Sequence, residues 1–106
     1  MKKELFKKIL PILFILFLSN SACTDDKVNL GLEVYNNKAQ CGMCHTLKAA
    51  GSKGQIGPNL DQLKPLVPQV IAAVTNGTGV MPAFGGILSS EEIEAVAHFV
   101  STSASQ

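Results

Sequence analysis

Residues 41–45 read Cys-Gly-Met-Cys-His, and this run constrains the chain more than any other feature. A Cys-x-x-Cys-His sequence reads as an attachment site for a c-type haem. The spacing has a chemical basis. Two thiols add across the two vinyl groups of the haem, and two intervening residues make a helical turn that sets the sulfurs at vinyl separation. His45 then falls under the iron, where an imidazole nitrogen binds it.

Three other readings compete for the same motif. A thioredoxin-like redox pair also uses Cys-x-x-Cys and tolerates a following His, but that fold needs several strands and the chain shows no alternating strand pattern. A zinc site needs four ligands. The only other histidine, His98, lies far along the chain at a spacing that fits neither ribbons nor fingers. Coincidence is the third reading, and the remaining sequence has to decide against it.

The N-terminal segment places the chain outside the cytoplasm. Lys2, Lys3, Lys7 and Lys8 precede Ile9–Leu18, a run that is apolar except for Pro11, and Ser19–Ala22 are small or polar. Basic, apolar, then small is the layout of a secretory signal. A spanning helix needs about 20 apolar residues, and this run is too short. The expected organisation is a signal over 1–22, a tether over 23–29, a folded domain over 30–102 and a polar tail over 103–106. Export suits covalent haem attachment, which takes place outside the bacterial cytoplasm.

Cys23 stands where a bacterial lipoprotein signal ends, just after Ser21-Ala22, although Asn20 departs from the aliphatic residue usual three positions before such a cysteine. The expectation is a lipid on Cys23 that holds the protein on the membrane; the alternative is a nearby signal cut that leaves a free or dimer-forming thiol. From Cys23 onward five lysines face seven acidic residues, with no arginine. The net −2 and the lack of a basic patch disfavour nucleic-acid binding. Without the signal, 84 of the 106 residues remain, a size at which a core often needs a staple such as a cofactor.

Three segments read as helices. Leu30–Tyr35 leads into the motif. Val67, Val70, Ile71 and Val74 recur at helical spacing before an Asn76-Gly77 stop. Ser89 and Glu92 form a capping box, and the helix it opens carries Ile93, Val96, Ala97, Phe99 and Val100 on one face before fraying into a polar tail. Between these helices lie two loops, 56–60 and 80–86. Haem with His on one face takes a second ligand or keeps an open position, and Met is a known sixth ligand. Met1 leaves with the signal, and Met43 sits inside the attachment turn. Met81, in a Gly- and Pro-bounded loop, is the candidate. Read alone it is a core filler; the upstream motif favours the ligand reading. His98, inside the last helix, suits a packing or surface role better.

These features together resemble the class I bacterial monohaem cytochromes c of the short kind. The resemblance rests on Gly31 and Tyr35 four apart, on Cys41, Cys44 and His45, on Gly57-Pro58-Asn59-Leu60, on Met81-Pro82-Ala83-Phe84, and on Val96 with Phe99. It implies an all-α fold of three or more helices wrapped around one covalent haem, with the N- and C-terminal helices packed together. It also implies that the Pro58 carbonyl holds the second ring nitrogen of His45, and that Gly31 lets the first and last helices approach against Phe99, although Gly31 also suits a helix start. Tyr35 and Phe84 fit plain core; Phe84 also suits screening of the haem. The expected function is a single-electron carrier, not an enzyme, that docks on redox partner proteins. Two alternatives stay open: a cytochrome subunit of a larger oxidoreductase, and a five-coordinate sensor or peroxidase-like protein if Met81 does not bind iron.

Overall fold

A computed structural model describes residues 22–104, with side chains from residue 26 onward. The expected signal, apart from Ala22, lies outside the described residues, as does the side chain of Cys23. Among the described residues there are four α-helices: α1 (Ala22–Glu33), α2 (Leu60–Leu63), α3 (Val67–Asn76) and α4 (Ser90–Ala104).

Helix α1 begins earlier than the sequence suggested and takes in the residues expected as a tether. Val28, Gly31, Leu32 and Tyr35 are spaced 3, 1 and 3 apart, so they share one face; Val28 and Leu32 pack on the core, where Tyr35 is fully buried. Gly31 marks the crossing with α4. A Cβ built there would strike the carbonyl of Ala95 and stand 2.6 Å from Cβ of Phe99. Glycine in a helix interior costs about 0.5–1 kcal/mol relative to alanine; here it permits backbone-to-side-chain contact between the terminal helices. The ring of Phe99 meets that of Tyr35 edge-on, with centroids 5.8 Å apart at 67°.

Helix α1 does not end at Glu33 but widens into a π-helical turn over Val34–Lys38, closed by the N–H of Ala39 on the carbonyl of Val34 at 2.8 Å. Gln40 then takes left-handed backbone angles, φ 51° and ψ 46°, which turns the chain sharply into the cysteine motif.

Helix α3 buries Val70 and Val74 as its periodicity predicts. The capping box of α4 forms reciprocally: Ser89 Oγ accepts the N–H of Glu92 at 3.1 Å, and Glu92 Oε1 accepts the N–H of Ser89 at 3.0 Å. The last helix also runs longer than expected. It continues to Ala104, which is 1% exposed, so the proposed polar tail from 103 begins inside a packed helix. Alanine and small hydroxyl residues gave no apolar run there for the sequence to reveal.

One antiparallel pair of two-residue strands, β1 (Thr46–Leu47) and β2 (Ser52–Lys53), follows the motif, with Leu47 opposite Ser52. Strands of this length carry no alternation that a sequence could show. Helix α2 was likewise not expected; Asn59 caps it, accepting the N–H groups of Asp61 at 2.9 Å and Gln62 at 3.3 Å.

Candidate functional site

The motif folds as a tight helical turn. Cys41–Met43 form a 3₁₀ turn, and the carbonyl of Cys41 accepts from the N–H groups of both Cys44 (3.2 Å) and His45 (3.0 Å). The two thiols are unpaired. Residues 46–57 back this turn from behind. Gly54 N–H donates to the His45 carbonyl at 3.1 Å, and Gly57 N–H donates to the Cys44 carbonyl at 2.7 Å.

His45 is held by its ring. Its Nδ1 stands 2.7 Å from the carbonyl oxygen of Pro58. A carbonyl only accepts, so Nδ1 carries the proton, and Nε2 is left with its lone pair for a metal. Gly57 completes the mount: a Cβ there would lie 2.5 Å from Cε1 of the imidazole.

Met81 comes from the other loop, and that loop is pinned. Thr78 and Met81 exchange both backbone bonds, at 3.1 and 2.9 Å. Phe84 N–H reaches the Val74 carbonyl at 2.8 Å, and Gly85 N–H the Thr75 carbonyl at 3.2 Å, which ties the loop to the end of α3.

Cys41, Cys44, His45, Pro58 and Met81 all line one cavity of about 790 Å³, together with Phe84. Pockets for cofactor-sized ligands span about 300–1,000 Å³, so the size fits. Leu60, Val70, Val74 and Val96 make much of its wall apolar. Two thiols three residues apart, an imidazole with a lone pair presented, a thioether and an apolar wall are a donor set and surroundings that fit a covalent haem. His98 lies on α4, partly buried, and does not line the cavity.

Two observations bear on the other readings of the motif. A thioredoxin-like cysteine is activated by a lowered pKa, whereas burial pushes the Cys41 thiol up to about 11, with Cys44 adding to the rise. Among the described residues no three His, Cys, Asp or Glu side chains group to hold a metal ion.

Two contributors to the site carried no local signal. Ser52 Oγ pairs with the buried Tyr35 hydroxyl at 2.8 Å and accepts the N–H of Leu47 at 3.1 Å. A pair 17 residues apart is visible only in three dimensions. Burial, chiefly, raises the pKa of Tyr35, with the Ser52 bond opposing it, so the phenol stays protonated. The closeness of Gly57 to His45 was equally hidden, because it joins residues 12 apart in the chain.

The chain is similar to several known proteins. Residues 26–100 match the family described as cytochrome C oxidase, cbb3-type, subunit III. Cytochrome c6 of Picosynechococcus sp. is 33% identical over 113 residues, covering 96% of this chain and 95% of that protein. Cytochrome c6 of Nostoc sp. is 36% identical over 108 residues, covering 92% and 91%. Among solved structures, the c-type cytochrome SorU from Sinorhizobium meliloti is 51% identical, with a TM-score of 0.73 over 77% of this chain and 95% of that one.

Proposed function

This chain belongs to the class I monohaem cytochrome c family and carries one covalent haem c, and from that premise we propose that it is an exported single-electron carrier closed by a His45/Met81 ligand pair. The observation that carries the reading is the meeting of Cys41, Cys44, His45 and Met81 on one apolar cavity.

Each residue has a role in this account. Cys41 and Cys44 form the thioethers. Pro58 holds Nδ1 of His45 in one tautomer, which leaves Nε2 as the nitrogen that would bind the iron. The backbone pairing of Thr78 with Met81 steadies the segment that would offer the Met81 thioether to the iron. The apolar wall and Phe84 exclude water. When bound, the haem iron supplies a one-electron ferric–ferrous couple. A soft Met81 thioether on that iron would favour the reduced state and raise the potential, and its binding would leave no open position for a substrate.

Docking takes place where the cavity opens. Met43, Ile56 and Val80 line it and are strongly exposed. An apolar rim suits a transient redox encounter, which buries less than about 1,200 Å². Among the described residues no helix is long and apolar enough to cross a membrane. A lipid on Cys23 is the proposed attachment to the membrane. With α1 starting at Ala22, such a lipid would join the domain through a helix and not through an irregular tether.

A second reading has one observation in its favour: the matched family is described as an oxidase subunit. A place inside a larger oxidoreductase would appear as stable co-purification with partner subunits from the native host. A free carrier purifies alone. The ligand pair is tested separately by the red charge-transfer band of Met-ligated ferric haem, together with the absence of rapid CO binding to the ferrous form.

A further inference from the structure

A haem brings two carboxylates as well as an iron, and a site must leave them in water or supply donors. Among the described residues no Lys lines the cavity, and the whole chain contains no arginine. The side-chain donors on its wall are therefore neutral. Two are already engaged, Nδ1 of His45 with Pro58 and the Tyr35 hydroxyl with Ser52. The amides of Gln40 and Gln69 and the Thr78 hydroxyl are left.

Gln69 is the one whose amide orientation is fixed by a partner. It is the third residue of α3, and its Oε1 accepts the N–H of Leu66, the helix N-cap, at 2.9 Å. Only the oxygen of an amide accepts from an N–H. Nε2 therefore keeps both hydrogens, and among the described residues it has no hydrogen-bond partner. Helix stability alone gives no reason for glutamine here. Glutamate makes the same bond and adds a favourable charge at the helix N-terminus. What glutamine adds is the Nε2 donor. Gln40 stands at the wrong edge: it directly precedes Cys41, and haem carboxylates project from the side of the porphyrin away from the vinyl groups that cysteines capture.

Resting on the haem reading above, we propose that Nε2 of Gln69 holds a haem carboxylate at the cavity wall, a neutral amide serving where no cation is present. The test uses the haem-loaded protein and its Gln69→Glu variant, which keeps the acceptor for Leu66 and removes only the donor. Gln69→Leu is a second donor-free variant, and Gln40→Glu the positional control. Resonance Raman reads the bending mode of the carboxylate-bearing side chains directly. The expected result is a shifted mode in both Gln69 variants and an unshifted mode in Gln40→Glu, with a lower midpoint potential in Gln69→Glu, where an anion replaces the donor. A mode unchanged in both Gln69 variants, or moved by Gln40→Glu alone, overturns the assignment. Failure of the haem reading itself would show in the wild-type protein, as a spectrum without haem, so the two failures are distinct.

Discussion

Gly57 has no side chain, and the imidazole of His45 fills the space one would need. Adding a methyl group there places an atom 2.5 Å from Cε1, so the ring must shift away from the carbonyl that holds it. Overpacking of this kind costs about 1–3 kcal/mol. Gly57→Ala should therefore lower the denaturant midpoint and move the His45 ring resonances; an unchanged midpoint with unchanged resonances would show that the ring is not so confined. Met81 makes the complementary case. Met81→Ala should abolish the ferric charge-transfer band and let CO bind the ferrous form quickly. If the band survives the substitution, another residue is the sixth ligand. Both residues were singled out by the sequence, Met81 through its place in the chain and Gly57 only as part of the Gly57-Pro58-Asn59-Leu60 segment. Its contact with His45 depends on how residues 46–57 fold back on the motif, which no local pattern encodes.

At the scale of elements, the terminal helices meet at Gly31. Gly31→Ala should push α1 off the Ala95 carbonyl and off Phe99, with a stability loss of about 1–3 kcal/mol in urea unfolding; full stability would mean that the helices separate without cost. The start of α4 is tied to the π turn by the ion pair of Lys38 with Glu92. Hydrogen bonding to Lys38, then to the backbone of Ser89, holds the Glu92 carboxyl down to about 2. A carboxyl lowered on folding stabilises above its ordinary pKa of 4.5 and loses that contribution as pH falls toward about 2. Lys38 is raised, chiefly by its bond to Glu92, so its share persists below the ordinary lysine value and is lost only as pH rises beyond it. In Glu92→Gln the decline of unfolding midpoint between about pH 4.5 and 2 should flatten relative to wild type; parallel curves would mean the pair is inconsequential. The sequence foretold this helix start because a capping box is a local motif. The π turn was not foretold, since an added residue per turn leaves no signature in Val34–Lys38.

At the scale of the molecule, the all-α architecture was legible because α3 and α4 show their periodicity, whereas α2, whose Leu60 joins the core, is too short to show one; the candidate site was legible because its chemistry is concentrated in a few reactive residue types. The ends of the domain were not. The segment before Leu30 is polar enough to read as a tether, yet Val28 inside it packs on the core. The segment after Val100 is small and polar, yet Ala104 is buried. Both boundaries depend on α1 lying across α4, a tertiary fact. The proposed lipid on Cys23 belongs to this scale as well: mass spectrometry of protein from the native host should find Cys23 at the mature N-terminus bearing acyl chains, and an unmodified thiol would remove the anchor from the account. The central claim concerns the whole cavity and its cofactor. An absorbance spectrum with redox titration of the mature protein tests it most directly. The account predicts haem that stays with the chain after denaturation, a red charge-transfer band in the ferric form and a single one-electron transition at positive potential. A matured protein without a haem band, or one whose haem is extracted by denaturant, would contradict it.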